Sequence, residues 1–250
     1  MNAKASFPPF PAWTWQVPQF FNIGVACTDA HVGTDIESRI AMIVEDDALG
    51  TVTATYAQLA DRTSQFAQLL RKHGLVPGDR VLIRLPNCLD YPTAFLGAMK
   101  AGCIAVPTST LLTADEVLYL AKDSGAKALV MDHPAWEQIA PRISEAPEAA
   151  LALLSGKGRH LEGTAVPAID LGPALDAITV WSAPHATHAG DPAYLVYTSG
   201  TTGYPKGVLH AHRALIGREP ASEYWFNFDP SGEDRILHSG KFNWTYVLGS

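Results

Sequence analysis

The chain has 250 residues, of which 47% are hydrophobic and 17% charged, and its formal net charge is −7. This length and apolar content can fill a substantial core, in one large domain or two small ones. The negative charge, with no local cluster of Lys or Arg, excludes a surface for nucleic acid, and no apolar run reaches the roughly eighteen residues of a membrane span.

The three cysteines lie far apart in the sequence. They indicate neither a disulfide framework nor a zinc ligand set. The first twenty residues hold five aromatic side chains among four prolines. Because each proline removes a backbone donor and restrains the residue before it, we expect this segment to follow a surface groove rather than form a helix. No basic region precedes a continuous apolar stretch, so we expect a cytoplasmic protein without a signal peptide.

The first regular unit is a helix followed by a strand. Thr55 and Gln58 have the spacing of a capping box, and the apolar stripe that follows ends at Gly74. This pattern predicts an amphipathic helix. A turn then leads into Arg80–Leu85, whose apolar centre predicts a strand buried on both faces.

The same pattern of helix and strand then repeats. A helix is predicted from about Tyr91 to Ala101, and a strand at Cys103–Val106. A second capping box, at Thr113–Glu116, begins another helix, and Ala128–Met131 predicts the next strand. Alternating strands and helices predict an α/β fold, in which a parallel sheet with right-handed crossovers is flanked by helices.

The next segment, Ala140–Pro192, is rich in Ala, Gly and Pro. It predicts a variable connection, not a domain linker, with a possible short helix near Ala174–Ile178. The connection leads into a short apolar run at Ala193–Val196, which predicts a strand.

The segment Tyr197–Val208 follows that strand and holds four Ser or Thr hydroxyls, three glycines and one lysine. Gly200 and Gly203 leave room for backbone N–H groups to converge on an anion, and Lys206 adds a mobile positive charge. The hydroxyl donors are those of Thr198, Ser199, Thr201 and Thr202. The spacing differs from that of a Walker A loop, so it predicts a phosphate-binding loop of another class.

This loop resembles the signature loop of the adenylate-forming superfamily of AMP-dependent synthetases and ligases. The superfamily includes acyl- and aryl-CoA synthetases, peptide-synthetase adenylation domains and firefly-type luciferases. Further segments resemble its N-terminal region in the same order, and they are Thr55–Leu59, Gly74–Val81, Pro86–Asn87 and Gly97–Gly102. The resemblance is closest to bacterial acyl- and aryl-CoA synthetases. It implies that residues 1–250 form an incomplete N-terminal, large domain, without the rest of that domain and the C-terminal lid domain.

The resemblance also implies the reaction. A carboxylic acid would be joined to AMP with release of pyrophosphate, and the acyl group would then pass to coenzyme A. ATP, Mg²⁺ and coenzyme A are the implied cofactors, and a small carboxylic acid is the substrate. Lys206 would be the catalytic residue, and it would bind the ATP phosphates together with the segment 198–203. Residues 1–250 alone are expected to be inactive, and their oligomeric state is not indicated.

Two alternatives remain open at this point. The protein could be an acyl-AMP ligase or adenylation domain that serves a carrier-protein thiol, or a truncated, non-catalytic nucleotide-binding module. No aspartate that could bind a substrate amine occurs between Ile236 and Ser250, which favours a CoA ligase over an amino-acid-activating domain.

A second candidate site lies in Leu237–Tyr246. In acyl- and aryl-CoA synthetases the corresponding stretch helps to form the carboxylate pocket, which implies a substrate-binding role for Lys241, Phe242 and Trp244. The alternative is that the two aromatic rings pack in the core, since strand residues alternate between faces. Core packing is also the interpretation for Trp225, Phe226 and Phe228.

Five histidines, at positions 185, 188, 210, 212 and 238, cluster loosely in this half of the sequence. His210 and His212 would share a face only in an extended segment, and no third ligand has a defined spacing. No metal site is therefore predicted, and the alternative for these histidines is the start of a helix that opens near Arg213.

Overall fold

A computed structural model describes residues 13–46, 50–198, 203–221, 234–237 and 240–243. Within these ranges the helices are α1 (Ile23–Cys27), α2 (Tyr56–Lys72), α3 (Asp90–Lys100), α4 (Ala114–Ser124), α5 (His133–Ile139), α6 (Leu171–Asp176) and α7 (Glu219–Ala221). The strands are β1 (Ile40–Asp46), β2 (Gly50–Thr55), β3 (Arg80–Arg84), β4 (Ile104–Pro107), β5 (Ala126–Asp132), β6 (Leu151–Ser155), β7 (Ala168–Asp170), β8 (Pro192–Thr198) and β9 (Lys206–Ala211). None of the described helices has the length and apolar character needed to cross a bilayer.

Seven of the described strands form one sheet, in the order β7-β6-β5-β3-β4-β8-β9. Neighbouring strands run parallel from β7 to β8, and β9 alone runs antiparallel to its neighbour. The predicted α/β fold with a parallel sheet is therefore confirmed. Strands β1 and β2 form a separate antiparallel hairpin, which the sequence analysis did not predict.

The predicted helix starts depend on local chemistry, and both capping boxes are present. At the start of α2, the Thr55 hydroxyl accepts from the backbone of Gln58, and the Gln58 side chain accepts from the backbone of Thr55. The same reciprocal pair joins Thr113 and Glu116 at the start of α4. Each box satisfies backbone donors that have no partner inside the helix, which explains why these boundaries can be predicted from the sequence.

The core is divided between the two faces of the sheet. Helices α2, α3 and α6 cover one face, where Val81, Ile83 and Val130 are buried. Helices α4 and α5 cover the other, where Leu82 and Leu129 are buried. Alternate residues of the central strands therefore point into different cores, and this is why these strands are apolar throughout.

Residues 140–192, which the sequence predicts as a variable connection, also contain two strands that were not predicted. This segment contributes β6 and β7, which extend the parallel sheet beyond β5. Strand β6 consists of Leu, Ala and Ser, so its side chains have no strong preference for a strand, and its ladder with β5 stabilises it instead. The short helix expected near Ala174–Ile178 is α6, which begins three residues earlier, at Leu171.

The ends of the chain are only partly described. Residues 13–18 have no regular secondary structure, and Phe20 forms an isolated antiparallel bridge with His188, against which its ring stacks. Most of the N-terminal prolines, as well as His238 and the aromatic group of Trp225, Phe226 and Phe228, lie outside the described residues.

Candidate phosphate and acyl site

The candidate site residues lie along the edge of the sheet where the parallel strands end. The phosphate loop follows β8, and Asn87 lies shortly after β3. Because β3, β4 and β8 run in the same direction, these loops emerge at the same edge. In open α/β sheets this carboxyl edge is where ligands bind.

The two ends of the phosphate loop are fixed by a hairpin. Strands β8 and β9 pair from Pro192 to Thr198, and the last pair sets Thr198 directly opposite Lys206. Directly opposed residues of antiparallel strands project from the same face, so both side chains start from the same side of the hairpin. Both side chains are exposed, and the Thr198 hydroxyl lies 3.5 Å from the Lys206 carbonyl oxygen, to which it donates.

Gly203 has a φ of 130°, a backbone conformation that residues with a side chain rarely adopt, and no described residue would lie within 4 Å of an added Cβ. The loop residues Ser199, Gly200, Thr201 and Thr202 lie outside the described residues. The structure thus brings Thr198 and Lys206 together at the base of the loop and describes Gly203 on its returning arm.

Helix α4 supports this loop through two tyrosine contacts that the sequence analysis did not identify. The Tyr197 hydroxyl donates to Asp123 over 2.6 Å, and burial together with that carboxylate raises the pKa of Tyr197. On the returning arm, the Tyr204 ring stacks on Tyr119 with centroids 4.8 Å apart. A largely apolar cleft of about 460 Å³ lies between this arm and α4. The spacing of these residues in the sequence does not reveal either contact. Helix α4 lies in the crossover from β4 to β5, and only the fold brings it next to the loop.

The base of the hairpin is anchored by two histidines. His210 stacks on Tyr194 with ring centroids 4.6 Å apart, and the buried His212 accepts the backbone N–H of Ile23 at Nδ1, over 3.1 Å. Burial lowers the pKa of His212 to about 4. Its Nε2 is buried without a hydrogen-bond partner among the described residues. In place of the helix expected near Arg213, two 3₁₀ turns follow, at His212–Ala214 and Ile216–Arg218.

The structure describes Leu237 and residues 240–243 of the candidate acyl segment, and residues 240–243 are attached close to the end of β3. Asn87 donates its side-chain amide to the Gly240 carbonyl and accepts the backbone N–H of Phe242, both over 2.9 Å. The Phe242 ring is half-buried and lies 5.4 Å from the ring of Tyr91. Lys241 is exposed, and Trp244 lies outside the described residues.

Tyr91 links this segment to the core. Its hydroxyl is buried without a hydrogen-bond partner among the described residues, and burial raises its pKa strongly. Beyond it, Phe95 lies 6.2 Å from Tyr91 and 5.8 Å from Tyr194, measured between ring centroids. A row of aromatic rings therefore connects the candidate acyl segment with the base of the phosphate-loop hairpin.

Comparison with known proteins places these features in a family. The model of the AMP-binding enzyme family matches residues 35–248, which is most of the chain. The chain belongs to the AMP-binding enzyme family. Its sequence is 33% identical over 203 residues to long-chain-fatty-acid–CoA ligase FadD13 of Mycobacterium tuberculosis, a match that covers 81% of this chain and 37% of the relative.

A second AMP-binding relative is the 3-hydroxybenzoate–CoA/4-hydroxybenzoate–CoA ligase of Thauera aromatica, with 31% identity over 78% of this chain and 36% of the relative. Among solved structures, the Brucella canis acyl-CoA synthetase superposes with a TM-score of 0.79 at 24% identity, over 92% of this chain and 40% of that one. This likeness confirms the fold. The chain spans less than half the length of these proteins.

Proposed function

We propose that the full-length protein is an AMP-forming acid–thiol ligase that activates a carboxylic acid with ATP and transfers the acyl group to coenzyme A. The observation that carries this proposal is the pairing of Thr198 with Lys206 at the base of the phosphate loop. Membership of the AMP-binding enzyme family and similarity to two CoA ligases support it. Residues 1–250 would then form the N-terminal part of the large domain.

The first half-reaction sets the electrostatic requirement. A carboxylate must attack the α-phosphate of ATP, so two anions approach each other and pyrophosphate has to leave. Lys206 would offset the charge that develops on the phosphates, while the loop hydroxyls and backbone N–H groups orient them. Because the hairpin fixes the backbone of Lys206 opposite that of Thr198, the lysine side chain starts from a defined position at the base of the loop.

The loop does not fit Mg²⁺ by itself. Its segment 197–208 contains hydroxyls and one ammonium but no carboxylate, which is the ligand that Mg²⁺ prefers in proteins. Mg²⁺ therefore remains an expectation of the family resemblance. The contribution of this chain is the cradle of hydroxyl, backbone and ammonium donors.

For the substrate, we propose an acid with an aromatic or medium-length acyl group. The half-buried Phe242 ring, which packs against the buried Tyr91, offers apolar surface beside the carboxyl edge, and acetate is too small to bury it. Lys241, Phe242 and Trp244 would contribute to this pocket. The two relatives are named for a long-chain fatty acid and for hydroxybenzoates, both of which have a large apolar part.

The test is pyrophosphate exchange in the full-length protein. We expect incorporation of labelled pyrophosphate into ATP to depend on added hexanoate or benzoate and to be weak with acetate. Product analysis with coenzyme A, and separately with a phosphopantetheinyl carrier protein, then identifies the thiol acceptor. Absence of acid-dependent exchange would refute the ligase, and transfer to the carrier alone would replace coenzyme A as the acceptor.

The Phe242→Ala variant tests the pocket separately. A residue of the pocket wall should change the ranking of acetate, hexanoate and benzoate by kcat/KM while the KM for ATP stays nearly unchanged. A core residue should instead lower the melting temperature and leave the ranking as it was.

A further inference from the structure

Three side chains with metal-binding chemistry meet at the end of the sheet that lies away from the phosphate loop. His133 directly follows β5, His160 lies in the loop after β6, and Asp170 is the last residue of β7. These three strands are parallel neighbours, so their ends meet at the carboxyl edge. The sequence analysis did not single out any of the three, because they come from separate segments of the chain.

The geometry of this cluster is convergent. The Nε2 atom of His133 lies 3.0 Å, and that of His160 2.9 Å, from the same carboxylate oxygen, Oδ1 of Asp170. All three atoms lie within 4.8 Å of one another. His133 is 2% exposed, whereas His160 and Asp170 are 46% and 36% exposed, so the cluster is closed on one side and open to solvent on the other.

A backbone contact determines which nitrogen of His133 faces the cluster. Its Nδ1 lies 3.3 Å from the Arg159 carbonyl oxygen. A carbonyl only accepts hydrogen bonds, so Nδ1 is the donor in this contact, and Nε2 is the nitrogen that faces the Asp170 carboxylate. Neither His133 Nε2 nor Asp170 Oδ1 makes an aligned hydrogen bond within the described residues, although both are buried. A cation shared by these atoms, either a proton or a metal ion, would satisfy both of them.

Two further features hold this arrangement in place. Gly158 lies so close to His133 that an added Cβ would be 2.3 Å from the Cβ of the histidine. Only glycine at this position therefore lets the loop that carries His160 pass over the His133 ring. Asp170 occupies the N-cap position of α6, yet its side chain does not cap the helix. Aspartate is among the best N-cap residues, and here its carboxylate contacts the histidines instead.

We propose that His133, His160 and Asp170 bind a divalent transition-metal ion, with Zn²⁺ as the best fit. Two imidazoles and one carboxylate form a donor set that zinc uses in proteins. Bonds of about 2.0–2.1 Å in tetrahedral geometry place ligand atoms about 3.3 Å apart, so the observed N–O distances need to open by only a few tenths of an ångström. The exposed side of the cluster provides an entry path and a fourth position for water.

The site is separate from the phosphate loop. Four strand spacings separate β6 from β8 in the sheet, which is about 19 Å. The ion would therefore clamp the ends of β5, β6 and β7 together rather than take part in the transfer of AMP. This role predicts an effect on stability and none on the chemistry of the ligase.

Zinc titration of the full-length, tag-free protein after removal of metals with a chelator tests the proposal. We expect calorimetry to show one equivalent of Zn²⁺ per chain, and the melting temperature to rise with zinc concentration, because an ion that binds only the folded state stabilises it. Cobalt substitution should give the visible absorption bands of a tetrahedral site.

Two variants identify the ligands, and a third serves as a control. His160→Asn and Asp170→Asn should each weaken zinc binding by more than about tenfold, since loss of even an outer-sphere partner costs 10–100-fold. Both residues are partly exposed, so folded protein is expected, and circular dichroism checks it. His73→Asn changes an exposed histidine at the end of α2 and should leave binding intact. Absence of stoichiometric binding, or unchanged affinity in His160→Asn, overturns the proposal and leaves a protonated histidine–carboxylate contact.

Discussion

The phosphate loop and the histidine–aspartate cluster lie on the same edge of one sheet but are formed in opposite ways. The loop is one continuous segment, and the ends that the structure describes, Thr198 and Lys206, are exposed. The cluster combines three side chains from separate segments of the chain, around the buried ring of His133. The loop therefore carries its chemistry in its local sequence, whereas the cluster exists only after β5, β6 and β7 have paired.

The largest expected effect is on adenylate formation, which should depend on the phosphate loop and not on the cluster. Lys206→Ala should slow adenylate formation about 10²–10³-fold, or about 2.7–4 kcal/mol, as loss of one preorganised electrostatic group does in other enzymes. Lys157→Ala, in the exposed loop after β6, removes the same charge at the other end of the edge and should change nothing. Pyrophosphate exchange measures the first half-reaction, and transfer from preformed acyl-AMP measures the second. An equal loss in both half-reactions of Lys206→Ala would contradict a specific role at the phosphates.

We expect the stability of the β8–β9 hairpin region to depend more strongly on acid pH than that of the cluster region, because of His212. Burial lowers its folded-state pKa to about 4, while in the unfolded chain it is near 6.5. The unfolded state therefore binds the proton first, and stability falls as the pH decreases from about 6.5 to about 4, by up to roughly 3 kcal/mol.

Urea unfolding at several values of pH checks this prediction. His212→Gln should flatten the decline in unfolding free energy between pH 6.5 and 4, whatever its stability at pH 7, whereas the exposed His188→Gln should retain it. Parallel declines in the parent and His212→Gln would exclude this histidine as the cause.

A pair of glycine substitutions compares packing in the two regions. Gly158→Ala forces a methyl group against His133 and should cost about 1–3 kcal/mol of folding free energy, as overpacking does. Gly203→Ala meets no neighbouring atom among the described residues, so we expect a cost of about 1 kcal/mol from the backbone conformation. Gly172→Ala in α6 has open space and an unstrained backbone, and serves as the control. Denaturant midpoints measure all three, and a Gly158→Ala midpoint equal to that of Gly172→Ala would refute the close packing.

The smallest expected effect concerns the contact between the phosphate loop and α4. The Tyr119 and Tyr204 rings stack at the surface, with Tyr204 73% exposed. A double-mutant cycle of Tyr119→Ala and Tyr204→Ala should give a coupling energy of about 0.5–1 kcal/mol in unfolding free energy. Strictly additive effects would mean that the returning arm of the loop does not rest on α4 in solution.

The parts of the fold that could be predicted depend on neighbouring residues. The capping boxes at Thr55 and Thr113 determine where α2 and α4 begin, and the apolar runs of β3, β4 and β5 are buried on both faces. By contrast, β6 and β7 could not be predicted, because Leu and Ala suit helix and strand alike and β7 has only three residues. Pairing with β5, which no local pattern encodes, determines their structure.

The candidate sites divide in the same way. The phosphate loop could be predicted because its hydroxyls, glycines and lysine are contiguous, and the assignment of individual residues to ATP stays a prediction. The supporting contacts of Tyr197 with Asp123 and of Asn87 with Phe242 join distant segments, so no spacing in the sequence identifies them. The three residues of the cluster also come from distant segments, so no spacing in the sequence identifies them either.

The position of β8 in the sheet has a consequence for folding. Strands β3 to β7 come from one continuous stretch, residues 80–170, and pair among themselves, whereas β8 joins β4 much later in the chain, with Ala105 opposite Tyr194. Contacts between distant residues form at a higher entropic cost, so we expect the β8–β9 hairpin to dock last and to open first. Amide hydrogen exchange should be faster in β9 than in β3. Nucleotide binding would slow it, since only the docked hairpin presents Lys206 beside the other strands of the carboxyl edge.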